Sequence, residues 1–255
     1  MRGYDILGNI ALVKFQRGES AKSKRQQAEQ LIKNNKRITT VLEKKDKIKG
    51  RLRTPKTSHI AGLKTKEVLY RENNSLFRFN IDTCYFSPRL ANERKEIASM
   101  VKKGESVLIL FGGVGPFAIT IAKTGKPKRI ISMELGRECC KYALENVKRN
   151  KVEVEIIQGD VRKKLPSLQG KFDRIVMARP NLQDSFLDVV FPKINKSGTV
   201  HYYGFYKEES LGVLRELIES KAKEAGKRIR ILKIKRAGDI GVREYRYRAD
   251  FKVLN

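Results

Sequence analysis

Histidine is nearly missing from this 255-residue chain, which holds only His59 and His201. That argues against a histidine-built metal centre and against a Ser-His-Asp triad. Cysteine is scarce too, with Cys84, Cys139 and Cys140 alone. Three is an odd number, two of them are adjacent, and none has metal-ligand spacing. That argues against a disulfide framework and for a reducing compartment. No apolar run approaches the length of a membrane span, and the first residues lack the apolar core of a secretion signal. The expectation is a cytoplasmic protein with no membrane partner. Acidic residues are the remaining shortage: 28 Asp+Glu face 56 Lys+Arg, a formal net charge of +28. The excess is not a tail, since residues 1–80 hold 20 basic and 7 acidic side chains and residues 221–255 hold 12 and 4. Such a field attracts polyanions and makes their binding salt-sensitive, unless it only reflects a generally basic proteome.

The length suits one sizeable α/β domain plus a smaller one. Residues 3–15 read as a strand kinked at Gly8, and Ser20 to Lys36 as a polar helix with a thin apolar stripe of Ala28, Leu31 and Ile32. Strand-like pieces at Ile38–Leu42 and Val68–Tyr70 bracket the basic stretch Lys44–Lys66, and residues 76–86 alternate apolar and polar. These make a small α+β module, residues 1–84. From residue 85 onward the rhythm changes. Helices are expected at about 89–102, 116–124, 137–150, 182–193 and 208–225. Strands are expected at 106–110, 129–133, 153–157, 173–177 and 198–203, with a closing hairpin of 228–236 and 244–253. Repeated βα units predict a doubly wound parallel sheet with helices on both faces, closed by an antiparallel edge.

The second unit opens on the most specific signal. Strand Ser106–Leu110 breaks at Phe111-Gly112-Gly113-Val114-Gly115-Pro116-Phe117-Ala118, where three glycines in four positions allow a sharp turn and close ligand approach. About twenty residues on, strand 129–133 ends in Glu134, placed to hold the two hydroxyls of a ribose. The third glycine of a dinucleotide fingerprint is replaced by Phe117-Ala118, which suits S-adenosylmethionine, a ligand with no pyrophosphate. Asp160 can accept from an adenine amino group while Val161 packs on the ring; the alternative is that Asp160 caps a helix or turn after Gly159. The expected cofactor contacts are Phe111, Gly113, Val114, Gly115, Phe117, Glu134, Leu135, Asp160 and Val161. The turn resembles that of S-adenosylmethionine-dependent methyltransferases, which usually carry an acid two residues before the turn phenylalanine, for the methionine ammonium; here that residue is Ile109.

Four stretches together resemble the archaeal and eukaryotic tRNA guanine-37 N1-methyltransferases. They are Phe86-Ser87-Pro88-Arg89-Leu90-Ala91-Asn92-Glu93-Arg94, the turn at 111–118, His201-Tyr202-Tyr203 and Gly50-Arg51-Leu52-Arg53-Thr54. The resemblance covers nearly the whole chain, without the separate N-terminal domain that many members use to grip the tRNA elbow. It implies a class I methyltransferase fold, S-adenosylmethionine as cofactor, and the anticodon stem-loop of a tRNA as partner to a monomeric enzyme. It nominates Glu93 as the base that removes the guanine N1 proton and Arg53 as the cation that stabilises charge on O6. Substrate contacts are expected from Arg89, Arg179, Pro180 and Asn181. Where the family reads Asn-Leu-Pro after its fourth strand, this chain reads Ala178-Arg179-Pro180, so the family's asparagine amide is absent. Two rivals stay open. One is the wyosine-pathway transferase of the aminocarboxypropyl group, which usually has glycine at the position of Arg89; the other is a non-catalytic RNA-binding protein on a degenerate scaffold.

Overall fold

A seven-stranded sheet forms the body of the second unit, in a computed structural model that describes residues 3–45, 56–241 and 243–255. Its strands are β7 (Ser106–Leu110), β8 (Arg129–Glu134), β9 (Glu155–Gln158), β10 (Phe172–Met177), β11 (Ile194–Lys207), β12 (Ile229–Gly241) and β13 (Glu244–Val253). They lie in the order β12-β13-β11-β10-β7-β8-β9, with β13 antiparallel to both neighbours and the others parallel. The chain starts at the middle with β7, walks outward to β9, then returns to β10 on the other side. The loops after β7 and β10 therefore diverge, and a crevice opens at their carboxyl ends. β7 is all buried because it is paired on both edges and covered on both faces, which is why its sequence is an unbroken apolar run.

Helices α2 (Ala91–Met100), α3 (Pro116–Ala122) and α4 (Arg137–Arg149) cover the sheet together with α5 (Val161–Lys164), α6 (Leu187–Val190) and α7 (Leu211–Glu224). α4 buries Cys139, Cys140, Ala143 and Asn146 along one stripe, with Glu138 in its first turn and Lys148 and Arg149 in its last, each at the favourable end of the helix dipole.

The first unit has a four-stranded sheet, β1 (Tyr4–Leu7), β2 (Ile10–Val13), β3 (Thr40–Lys44) and β4 (Thr57–Gly62), with α1 (Ala21–Asn34) crossing between the parallel strands β2 and β3. Residues 3–15 are not one kinked strand. Gly8 adopts φ +59° and the chain reverses there, so β1 and β2 pair as a hairpin. A Cβ at Gly8 would lie 1.9 Å from the Leu69 carbonyl oxygen, so the turn is pressed against the next element and only glycine fits. β4 was hidden in the basic stretch because it buries only Thr57 and Ala61, too few to show a period. The helix expected at 182–193 shortens to Leu187–Val190, because residues 178–186 are drawn into other bonds described below.

A separate hairpin, β5 (Glu67–Glu72) with β6 (Ser75–Asn80), joins the two units. Both of its outer edges are finished by asparagines rather than strands. Asn9 accepts from Leu69 N and donates to Glu67 O on β5. Asn146 of α4 and Asn150, the residue that caps its end, do the same on β6: Asn146 with the N–H and C=O of Arg78, Asn150 with those of Leu76. Asn146 also donates to Val114 O, tying the glycine turn to the same post. The boundary expected at residue 84 thus follows a hairpin bonded to α4 of the second unit. Asn146→Leu strips three backbone groups of their partners, the half-buried N–H and C=O of Arg78 and the buried C=O of Val114. Because two of the groups are only half-buried and water can reach them, the lower end of the ~1–3 kcal/mol per lost partner applies, and a thermal scan should show Tm lowered by roughly 10 °C at about 2–4 °C per kcal/mol.

Candidate active site

The crevice at the carboxyl ends of β7, β8 and β10 holds a cavity of about 1190 Å³ counted with its open mouth. At one end the glycine turn forms its wall. Phe111 adopts φ +62°, Gly113 φ +55° and Gly115 φ +88°, so the turn leaves β7 through left-handed backbone. A Cβ on Gly113 would meet only Tyr85 O at 3.8 Å, which means that this face of the backbone is bare and turned to the cavity. Glu134 sits opposite, nearly buried, with Oε2 accepting from Gly113 N at 2.8 Å and Oε1 from Gly136 N at 2.7 Å. Both amides point the carboxylate at one place, and its remaining lone pairs can accept from two hydroxyls. Asp160 lines the cavity and also caps α5, Oδ1 accepting from Arg162 N at 2.9 Å, so the capping alternative is observed alongside its place in the wall. Phe111, Gly113, Phe117, Glu134, Leu135, Asp160 and Val161 all line this half.

Two expected contacts fall behind the wall. Val114 is fully buried among Val68, Phe77, Phe79 and Ile119, and Gly115 caps α3. They shape the turn and do not line the cavity. The residues present fit an adenosyl group: a fixed carboxylate for a ribose diol, a second acid, an apolar wall from Val161 and Leu135, and an open backbone edge. Ile109 is fully buried with Phe117 and Val176, so the ammonium-binding acid of other methyltransferases has no counterpart at that position.

The other half is built on α2, β11 and β13. Glu93 is 6% exposed and does not line the cavity. Its Oε2 accepts from Tyr203 Oη at 3.0 Å and from Arg248 Nη1 at 2.6 Å, and its Oε1 lies 2.8 Å from Lys235 Nζ. Tyr203 does line the cavity, so its phenol stands between Glu93 and the open space. Burial, then the charge of Glu93, raises the Tyr203 pKa well above that of free tyrosine. Arg248 is fully buried and reaches Glu96 at 2.7 Å and both oxygens of Asp250 at 2.9 Å. The bond from Arg248, then that from Lys235, holds the Glu96 carboxyl at about 2.

The chain of charges continues below. Asp250 Oδ1 is 2.6 Å from His201 Nδ1, and Arg174 Nη1 is 2.6 Å from His201 Nε2. Asp250 only accepts and Arg174 only donates, so the imidazole is neutral with its proton on Nδ1. Burial keeps its pKa below the usual value despite Asp250. His201 is therefore a structural link in the sheet. Arg174 itself is anchored by Glu105 at 2.8 and 3.0 Å.

The loop after β10 closes the cavity. Arg179 is buried over the Tyr202 ring at 5.4 Å, with Nη2 donating to Leu182 O and Asp184 O. Arg162, next to Asp160 and Val161, bonds Asp184 at 2.5 and 2.6 Å and Asp188 at 2.7 and 3.2 Å. These bonds hold 178–186 as a strap and leave Phe186 at φ +59°, edge-on to Phe111 at 5.1 Å. Of the expected substrate contacts, Arg179 and Pro180 line the cavity. Asn181 and Arg89 are exposed and do not, Arg89 lying on a single 3-10 turn, Pro88–Leu90, that leads into α2. Arg53 and the stretch Gly50–Thr54 lie outside the described residues. Sequence reasoning missed Tyr203, Arg246, Arg94 and Phe186 as lining residues. Tyr203 and Arg94 stand in the sequence only as members of the stretches His201-Tyr202-Tyr203 and Phe86–Arg94, with no role attached, and nothing local marks Arg246 or Phe186.

A family model described as the TRM5/TYW2 methyltransferase domain matches residues 68–232, and one described as the TYW2 N-terminal domain matches residues 1–65. The tRNA (guanine(37)-N(1))-methyltransferase Trm5b of Pyrococcus abyssi is 34% identical over 252 residues, covering 98% of this chain and 74% of its own length. The tRNA (guanine(37)-N(1))/4-demethylwyosine(37)-methyltransferase Taw22 of Nanoarchaeum equitans is 30% identical, covering 98% and 99%. Among solved structures, wild-type Trm5b from Pyrococcus abyssi superposes with a TM-score of 0.87 at 34% identity, covering 100% of this chain and 76% of that one. A complex of aTrm5 with tRNALeu gives 0.85 at 27% identity, covering 100% and 72%. The family model spans well over half of the sequence, and the chain belongs to the TRM5/TYW2 methyltransferase family.

Proposed function

We propose that this protein is a tRNA methyltransferase that transfers the methyl group of S-adenosylmethionine to N1 of guanine-37 in the anticodon loop, acting as a cytoplasmic monomer. The observation that carries the reading is a single cavity with an adenosyl-type cradle at Glu134 and, at its other end, a phenol hydrogen-bonded to a buried carboxylate. S-adenosylmethionine, when bound, supplies an electrophilic methyl on a sulfonium. Glu134 and the bare edge of Gly113 orient its sugar, and Phe111, Leu135 and Val161 exclude water around it.

The chain's task at the acceptor is to remove a proton. Guanine N1 carries one near neutral pH and is a poor nucleophile until it leaves. Because Glu93 stands behind Tyr203, the proton passes from N1 to the Tyr203 oxygen while the phenol proton moves to Glu93. The raised pKa of Tyr203 favours a concerted shift with no free tyrosinate. Arg53 is assigned to the developing charge on O6 by the family resemblance, and a guanidinium suits that role. Asp250 and Glu96 hold Arg248, and Arg248 holds Glu93 in line.

The TYW2-type N-terminal match favours a second reading, transfer of the aminocarboxypropyl group from the same cofactor. Incubating the protein with S-adenosylmethionine and tRNA transcripts carrying guanosine or adenosine at position 37, and separately with a tRNA carrying 4-demethylwyosine there, the acceptor printed for an aminocarboxypropyl-transferring relative, then digesting to nucleosides for mass spectrometry, separates the two. The expected result is 1-methylguanosine from the guanosine transcript, with S-adenosylhomocysteine as by-product and no product from adenosine. Methylthioadenosine as by-product would establish the second reading. Equal labelling of both transcripts would exclude the N1 chemistry.

A further inference from the structure

Among the cavity-lining arginines, Arg246 stands apart. Arg94 is paired with Glu72 and also donates to Ser87 O, and Arg179 is bonded to two backbone carbonyls. Behind the wall, Arg248 and Lys235 share Glu93 and Glu96. Arg246 is 8% exposed and lies over the Phe205 ring at 5.1 Å, and among the described residues no carboxylate is within ion-pair distance of it. A buried guanidinium without a counter-charge is costly, and one that lines a cavity is relieved by an anion brought in from outside.

Its place in the sheet says which anion. Arg246 is two residues from Arg248 on β13, hence on the same face. It pairs across to Phe205, as Arg248 pairs to Tyr203, one step nearer the carboxyl end of β11. At about 4.8 Å per strand, it is roughly 14 Å from β7 and roughly 19 Å from β8, where Glu134 holds the sugar end of the cavity. The adenosyl cradle and Arg246 thus mark opposite ends.

We propose that Arg246 is a phosphate-binding residue of the acceptor half, taking a phosphodiester oxygen beside the target nucleotide and, through the fixed β13 register, positioning the flipped base over Tyr203. This rests on the RNA-methylating reading above. The Phe205 ring backs the guanidinium at 5.1 Å while Arg246 lines the cavity, and a guanidinium there can offer a phosphate two donors at once.

The test uses the full chain and an anticodon stem-loop RNA, with affinity measured by fluorescence anisotropy across a range of salt. Arg246→Gln should weaken RNA binding and flatten the salt slope by about 0.7–0.9, so that a fourfold rise in salt costs the variant about threefold less affinity than it costs the wild type. S-adenosylmethionine affinity, measured by calorimetry without RNA, should be unchanged. Arg246→Lys should restore the slope but not the full affinity, since an ammonium keeps the charge and loses the fork. For the wild-type protein, a neutral methylphosphonate at a phosphate flanking position 37 should reproduce the loss, and the same RNA should bind Arg246→Gln with no further penalty. An unchanged slope in Arg246→Gln, or an equal penalty from the methylphosphonate in both proteins, overturns the proposal. Loss of cofactor affinity instead assigns the anion to the methionine carboxylate and also overturns it. A normal phosphate contact with no methylated product would sink the proposed function and leave this contact standing.

Discussion

Glu93→Gln should lower the methylation rate by roughly 10²–10⁴-fold, the usual contribution of a positioned base, with S-adenosylmethionine and tRNA affinities retained. The amide keeps the shape of the side chain and still accepts from one neighbour, but it cannot take a proton. The fold should survive. Arg248 keeps Asp250 and Glu96, and Lys235 keeps Glu96, so no cation is left alone. Tyr203→Phe decides the route. If the proton passes through the phenol, this variant should lose about as much rate as Glu93→Gln, and the double variant little more than either, because two members of one relay are not additive. A Tyr203→Phe enzyme close to wild-type rate would place Glu93 in direct contact with the base and remove the relay. Full activity in Glu93→Gln would remove the base altogether. Single-turnover measurements at saturating RNA and cofactor make this comparison without interference from product release.

The second large effect is expected at Glu134. Glu134→Gln replaces an acceptor-only carboxylate by an amide that must turn its NH2 towards Gly113 N or Gly136 N, or towards the ribose. Bonds to a charged acceptor are worth ~1.5–3 kcal/mol each, so losing the equivalent of two should weaken S-adenosylmethionine binding by 10²-fold or more. Calorimetry reads this directly. RNA affinity without cofactor should be unaffected. Undiminished cofactor binding in a folded Glu134→Gln protein would put the adenosyl site elsewhere. Gly113→Val is a harsher test of the same cradle. It fills the bare face of the turn and puts a β-branched residue at φ +55°, so it burdens the turn as well as the ligand.

The parts legible in the sequence are those whose signal is local. Strand β7 was placed to the residue, and β8 to within one, because buried parallel strands are unbroken apolar runs ended by a glycine turn or an acid. The cofactor half followed from chain order. The acceptor half did not, because its bonds are long-range. Tyr203 and Arg248 reach Glu93 across 110 and 155 residues, and no spacing rule connects such positions. The resemblance nominated Glu93 but could not show that a phenol stands in front of it. Arg179 and Asn181 illustrate the same limit. Both follow β10, yet one is buried and bonded to the backbone and the other faces solvent, because Arg162 and Asp184, remote in sequence, fold the strap inward.

The asparagines that finish the joining hairpin have a metric consequence. Asn146 and Asn150 are four residues apart on a helix, an axial advance of about 6.0 Å. Their partners Arg78 and Leu76 are two residues apart on a strand, about 6.6 Å. The two spacings nearly coincide, so α4 works as a ruler laid against β6: two amides read two alternate peptide units, and the match holds at one alignment. Sliding the hairpin by a single residue would present both amides with peptide groups pointing the other way. Since Asn146 also holds Val114 beside the glycine turn, the length standard that sets the hairpin in place also fixes the turn, and the cradle's position is measured from the joint between the two units.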